Sequence, residues 1–231
     1  MSNDITIVSK AMPAHAKASA GLGNENISSE HMMVPRVKQL QRVSNEVDEN
    51  HSDYVQGAKV GDFINTVTRE NYGKSIYVIN VYFKEEYVVW GKREKGEGLI
   101  GAYASRDEAI SGIEAAKKLE EDCEITQTQT HTLLRVDETT GKVSDIPFLF
   151  DCAASKLRVS REWNTQIAKL GGDRFSSLWK MESVETANKV GQKFMNISVT
   201  NVGWVKDDTH ASVKTFYDKT FNAKALESVA S

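Results

Sequence analysis

Residues 75–90 read SIYVINVYFKEEYVVW, and this stretch decides the class of the fold. It is dense in Val, Ile, Tyr and Phe, residue types that suit a pleated surface, and apolar side chains fall on both of its faces. Its length, with Lys84, Glu85 and Glu86 in the middle, predicts either one long bent strand or two strands joined at a bulge.

The pattern breaks on either side of it. Downstream, GKREKGEG at 91–98 is a loop rich in Gly, Lys and Arg. Ser105 then opens a helix: S-R-D-E places Glu108 three residues after a capping serine, and Ile110, Ile113 and Leu119 are expected to face inward. From Ile125 a strand runs through THTLLRV, Thr139-Thr140-Gly141 turns the chain, and VSDIPFLF supplies a hairpin partner. Ser155 precedes a second helix with Trp163, Ile167 and Leu170 on one face, and Gly171-Gly172 stops it. Residues 174–184 and 192–199 form a hairpin around TANKVG, and a last helix is expected over 208–221. Upstream, DFINTVT at 62–68 reads as a strand, while MMVPRVKQLQRV at 32–43 fits a short helix with Pro35 in its first turn or an extended segment equally.

Five to seven strands and two or three helices in this order predict an α+β fold: an OB-like curved antiparallel β-barrel with inserted helices. Residues 1–31, rich in Ser, Ala, Asn and Gly without periodicity, are expected to be a flexible N-terminal arm. The folded domain spans 32–221 and a frayed tail 222–231.

The totals exclude several functions. The formal net charge is −3, so the chain is no bulk polycation and any nucleic-acid contact must use a local patch. No apolar run reaches the roughly 18 residues of a membrane span, so no membrane partner is expected. Cys123 and Cys152 are too few for a disulfide framework, which predicts a reduced, cytoplasmic protein. Histidines 15, 31, 51, 131 and 210 are scattered, with no HExxH, no Walker loop and no GxSxG. No catalytic residue, metal or cofactor is therefore assigned, and the chain is not expected to be an enzyme.

One region is locally basic. From Cys152 to Lys206 there are nine Lys/Arg (156, 158, 161, 169, 174, 180, 189, 193, 206) against four acids (162, 173, 182, 185). Aromatics interleave with these cations: Lys156, Arg158 and Arg161 precede Trp163, and Arg174 precedes Trp179. Lys92, Arg93 and Lys95 likewise follow Trp90. Single-stranded nucleic acid is bound by such a combination, cations tracking the phosphates and aromatics stacking the bases. The plain alternative is that the tryptophans fill the core and the charges solvate the surface. Trp163 leans that way because it shares a helical face with Ile167 and Leu170. Asn164 either reads a base or faces solvent. The acids at 120–122 should lie away from any phosphate groove.

Several strings carry a resemblance: PRVKQLQxxSxE at 35–46, YVxGA at 54–58, GDFINT at 61–66, SKLxxSRxWN at 155–164 and GGDRF at 171–175. Together they resemble a group of tailed-phage early proteins, the single-stranded DNA-binding proteins of phage replication and recombination, with an OB-fold similar to the T7-type protein. The resemblance implies binding of single-stranded DNA in the bacterial host cytoplasm, without strong sequence specificity. Phage replication or recombination proteins are implied as further partners, and a homo-oligomer is compatible with it. It carries Lys156, Arg158, Arg161, Trp163, Asn164 and Arg174 over as contact candidates, to which the basic-aromatic pattern adds Trp90, Lys92, Arg93, Lys95 and Trp179. T7-type proteins end in an acidic tail with a terminal aromatic, whereas this sequence ends KALESVAS, which argues against recruitment of partners by that device. Two other functions fit the same residues: a phage interaction module that never touches DNA, and a metal-dependent nuclease.

Overall fold

The computed structural model describes residues 22–27, 31–92 and 98–222. The chain divides into two units, Met1–Met33 and Val34–Ser231. In the first, residues 22–27 form turns, with the Gly23 N–H donating to the Glu25 carboxylate at 2.9 Å. The rest of the expected arm up to residue 30, and the tail from 223 on, lie outside the described residues.

The second unit holds two antiparallel sheets. The smaller joins β1 (Val37–Gln39), β2 (Phe63–Asn65) and β3 (Asn71–Gly73) in that order. The segment around Pro35 is therefore extended, with Val37 and Gln39 inward and Lys38 outward. The strand expected over 62–68 stops at Asn65, whose side-chain oxygen accepts the N–H groups of Val67 and Thr68 and turns the chain.

The larger sheet contains β4 (Ser75–Gly91), β5 (Leu99–Tyr103), β6 (Cys123–Val136), β7 (Phe148–Ala153), β8 (Ser177–Ala187) and β9 (Lys193–Trp204). Its order is β7-β6-β4-β8-β9, with β5 also paired to β4. β4 is a single strand of 17 residues, the first of the two alternatives expected for it, and carries a bulge between Asn80 and Tyr82.

Three α-helices lie among the described residues of the unit: α1 (Arg106–Ala115), which stops short of the exposed Leu119 expected to face inward, α2 (Lys156–Leu170) and α3 (Asp207–Tyr217), the last running into a π-helical turn, Asp218–Asn222. Ser105 caps α1 as expected, accepting from the Glu108 N–H at 3.2 Å, and the Glu108 carboxylate reaches back to the Ala104 N–H. Ser155 makes no such side-chain cap on α2.

The two apolar faces of β4 now have a cause. In its first half Ile76 and Val78 join the cluster under α2 with Leu133, Phe150, Trp163 and Trp179. Ile79 and Val81 join Leu134, Phe175 and Val213 under α3 on the other face. Among the described residues only one face of its second half is covered, by α1, where Val89 meets Ala109 and Ile113. Lys84, Glu86 and Trp90 alternate with that face and point away from it.

The expected barrel closure does not occur among the described residues: β7 and β9 are the two outer strands of an open sheet. α2 packs against both of them, crossing the face that a closed barrel would have enclosed. The outer edge of β7 is met by the segment before β1, with the Leu149 N–H donating to the Pro35 carbonyl at 2.9 Å. The α+β class with a central antiparallel sheet holds.

Candidate nucleic-acid interface

α2 is seated by its inward residues. Trp163 is buried, its indole stacked on His131 with ring centroids 4.6 Å apart and edge-on to Trp179 at 5.9 Å. Trp179 has no exposed surface, so neither tryptophan is available to a base. For these two the core reading is correct, and Trp179 drops out as a stacking candidate.

Beneath α2, His131 Nε2 lies 2.8 Å from Ser160 Oγ and Nδ1 lies 2.9 Å from the Asn80 amide. Ser, His and Asn in line resemble a hydrolase triad in connectivity. All three are fully buried, however, so no substrate reaches the hydroxyl; both His131 ring nitrogens are partnered inside the core, while Asn80 Oδ1 has no partner. Burial, with the Arg174 charge nearby, lowers the His131 pKa to about 3, which keeps the ring neutral. Cys152 is likewise buried and its thiol pushed up to about 12, which removes it as a nucleophile at ordinary pH.

The outward face of α2 carries Arg158, Arg161, Glu162, Thr165, Gln166 and Lys169. Spacings of three and four residues align Arg158, Arg161, Thr165 and Lys169 along the helix. Arg158, Arg161, Glu162, Thr165 and Gln166 line a shallow open depression. The one acid in this stripe, Glu162, is bonded to Arg158 at 2.8 Å. Lys156 is half-buried beside Cys152, and desolvation lowers its pKa.

The first turn of α2 opposes the helix dipole, while Lys169 in the last turn suits it. That first turn holds Lys156 and Arg158 and no acid, whereas α1 begins with Asp107 and Glu108 and α3 with Asp207 and Asp208. Cations at a helix N-terminus forgo about 0.3–1 kcal/mol that acids would contribute there. The helix dipole does not explain Lys156 and Arg158 in the first turn.

Arg174 sits beside the helix rather than on an open groove. Its Nη2 donates to Asn164 Oδ1 at 2.8 Å, its guanidinium lies 5.4 Å from the Phe83 ring centre, and burial lowers its pKa. Asn164 thus holds Arg174, which is a positioning contact and neither of the two roles expected for it.

The second basic segment is elsewhere. Trp90 is exposed, but it lies on the face of β4 opposite Val89 and hence opposite α1 and α2. Lys92 is exposed and its N–H donates to the Asp122 carbonyl at 2.9 Å. Trp90 also pairs across the sheet with Glu124. The acidic segment 120–122, expected to lie away from a phosphate groove, therefore adjoins this end. Arg93 and Lys95 lie outside the described residues. The structure does not bring Trp90 onto the face of the sheet that carries α2. One exposed aromatic was missed: Trp204, which ends β9 and is 60% exposed. Its only signal in the sequence is its place after Gly203 at the close of an alternating strand.

The sequence profile of the Pam3 phage gp34-like proteins matches residues 5–225. The chain belongs to that family. The kinship to phage proteins seen in the motifs holds at this level, and the α2 stripe and the buried His131 trio both fall within the family's matched span. No curated protein and no solved structure matches the chain. No helix among the described residues of this gp34-like protein is long and apolar enough to cross a membrane.

Proposed function

We propose that this phage protein binds single-stranded DNA, with little sequence preference, along the solvent face of α2, in the replication or recombination of phage DNA in the host cytoplasm. The observation that carries the reading is the cationic solvent face of that helix: Arg158, Arg161 and Lys169 exposed, one acid among them, and no acid in the first turn. Thr165 and Gln166 place neutral hydrogen-bonding groups between the cations. Such a stripe tracks a phosphate backbone and needs no closed barrel behind it.

Titration of fluorescein-labelled oligo-dT by anisotropy, at about 50 mM salt and upward, tests the proposal. Binding that weakens linearly in log salt, and is lost in the Arg158→Glu/Arg161→Glu variant with an unchanged thermal melt, is expected. Absence of binding at low salt would refute it.

A second reading, a docking module for a protein partner, is favoured by a different observation. Trp90 and Leu99 are cross-strand neighbours, both exposed, on the far face of the sheet. Replacing both with Ser would then abolish association with the partner and leave oligo-dT binding untouched.

A further inference from the structure

Of the four tryptophans, Trp163 and Trp179 are in the core and Trp90 is on the sheet face turned away from α2. Trp204 differs from all three. β8 alternates so that Ser177, Trp179 and Met181 are buried, and Trp179 and Met181 pack in the cluster under α2. Trp204 is the cross-strand partner of Ser177, and directly opposed residues in an antiparallel pair share a face. The register therefore puts Trp204 on the α2 side of the sheet, and there its ring is 60% exposed.

Its place along the strand matters as much. The chain leaves α2 at Leu170, turns through Gly171 and Gly172, both at positive φ, and enters β8 at Ser177. Ser177 is three residues from Arg174, whose side chain is bonded back to Asn164 of α2. The Val205 N–H donates to the Ser176 carbonyl at 3.0 Å, tying the end of β9 to this same connection. The large apolar ring is thus at the end of the sheet where α2 delivers its last cation, Lys169. A soluble domain gains nothing by leaving an indole in water there.

We infer that Trp204 is the platform on which a base stacks when a single strand follows the α2 stripe. The inference rests on the reading of that stripe as a nucleic-acid contact and names the residue that reading lacked. The phosphates meet Arg158, Arg161 and Lys169, and the strand leaves the helix toward β9 with one base against the indole.

The test uses the full chain and oligo-dT. Trp204→Ala is expected to weaken binding on the order of tenfold, the loss of one stacked base. Trp204→Phe restores most of the affinity and Trp90→Ala leaves it unchanged. Unlabelled oligo-dT quenches intrinsic fluorescence in the native protein and in Trp90→Phe, and the quenching disappears in Trp204→Phe. Binding that is lost in Arg158→Glu/Arg161→Glu but indifferent to Trp204→Ala, with quenching intact in Trp204→Phe, overturns the assignment and leaves the stripe standing. No binding by the native protein overturns both. A thermal melt of Trp204→Ala checks its fold, and if it melts early the Trp204→Phe quenching result decides.

Discussion

The Trp163 indole lies nearly parallel to the His131 imidazole, with ring centroids 4.6 Å apart and planes inclined by 24°. This pair fastens α2 to β6, and both rings are fully buried. The helix that presents the cations is thereby held by a neutral histidine, and the fold's response to acid runs through the same contact.

His131 has a folded-state pKa of about 3 against a usual value of 6.5. Between these values the unfolded chain binds a proton that the folded chain refuses, so stability falls as pH drops from 6.5 toward 3 and is fully present above 6.5. One such group contributes a slope of about 1.4 kcal/mol per pH unit. Urea unfolding of the native protein and of His131→Gln at pH 7, 6 and 5 is expected to show a shallower decline in the variant. Parallel declines would exclude His131 as the source.

Trp163→Ala removes the largest side chain under α2 and opens a cavity between His131 and Trp179. A loss of about 3–5 kcal/mol is expected from chemical denaturation. Arg161→Glu, on the opposite side of the same helix, is expected to stay within about 0.5 kcal/mol of the native protein.

Tyr103 lies across Gly112 of α1, and a Cβ there would collide with the Tyr103 ring. Gly112→Ala is expected to destabilise by about 1–3 kcal/mol despite the better helix propensity of Ala. In the Tyr103→Ala background the same substitution becomes neutral or stabilising, a sign reversal that a double-mutant cycle reads directly.

Ser105→Ala deletes the acceptor for the Glu108 N–H at the start of α1. A cost of about 1 kcal/mol is expected. Ser155→Ala, at the start of α2, is expected to cost less, because Ser155 makes no cap bond.

For DNA, Arg158→Glu/Arg161→Glu is expected to lower oligo-dT affinity by more than tenfold, since each lost phosphate contact also removes about 0.7 from the log-log salt slope. Lys92→Glu is expected to leave affinity nearly unchanged, because Lys92 adjoins the Asp122 backbone and lies at the end of β4 away from the stripe. Anisotropy across a salt series separates the two.

Local signals in the sequence were sufficient for most elements. The apolar density of 75–90, the Ser105–Glu108 cap, the Trp163–Ile167 spacing and the stop at Gly171-Gly172 each act within a few residues, and each element formed where they pointed. Sheet closure and the composition of the surface are long-range matters. Whether β7 meets β9 depends on α2 crossing between them, and no local pattern encodes that. Asn164 looked equally like a base reader or a solvated amide until the chain after α2 brought Arg174 back to it. Trp90 and Trp179 both follow apolar neighbours in sequence, yet one faces water and the other the core, because alternation gives two faces and only tertiary packing says which is covered. The sequence by itself determined a basic helix on an antiparallel sheet. Only the tertiary structure turned Trp90 to the face away from that helix and set Trp204 on its side of the sheet, because the register of β8 on β9 brings together residues far apart in the chain.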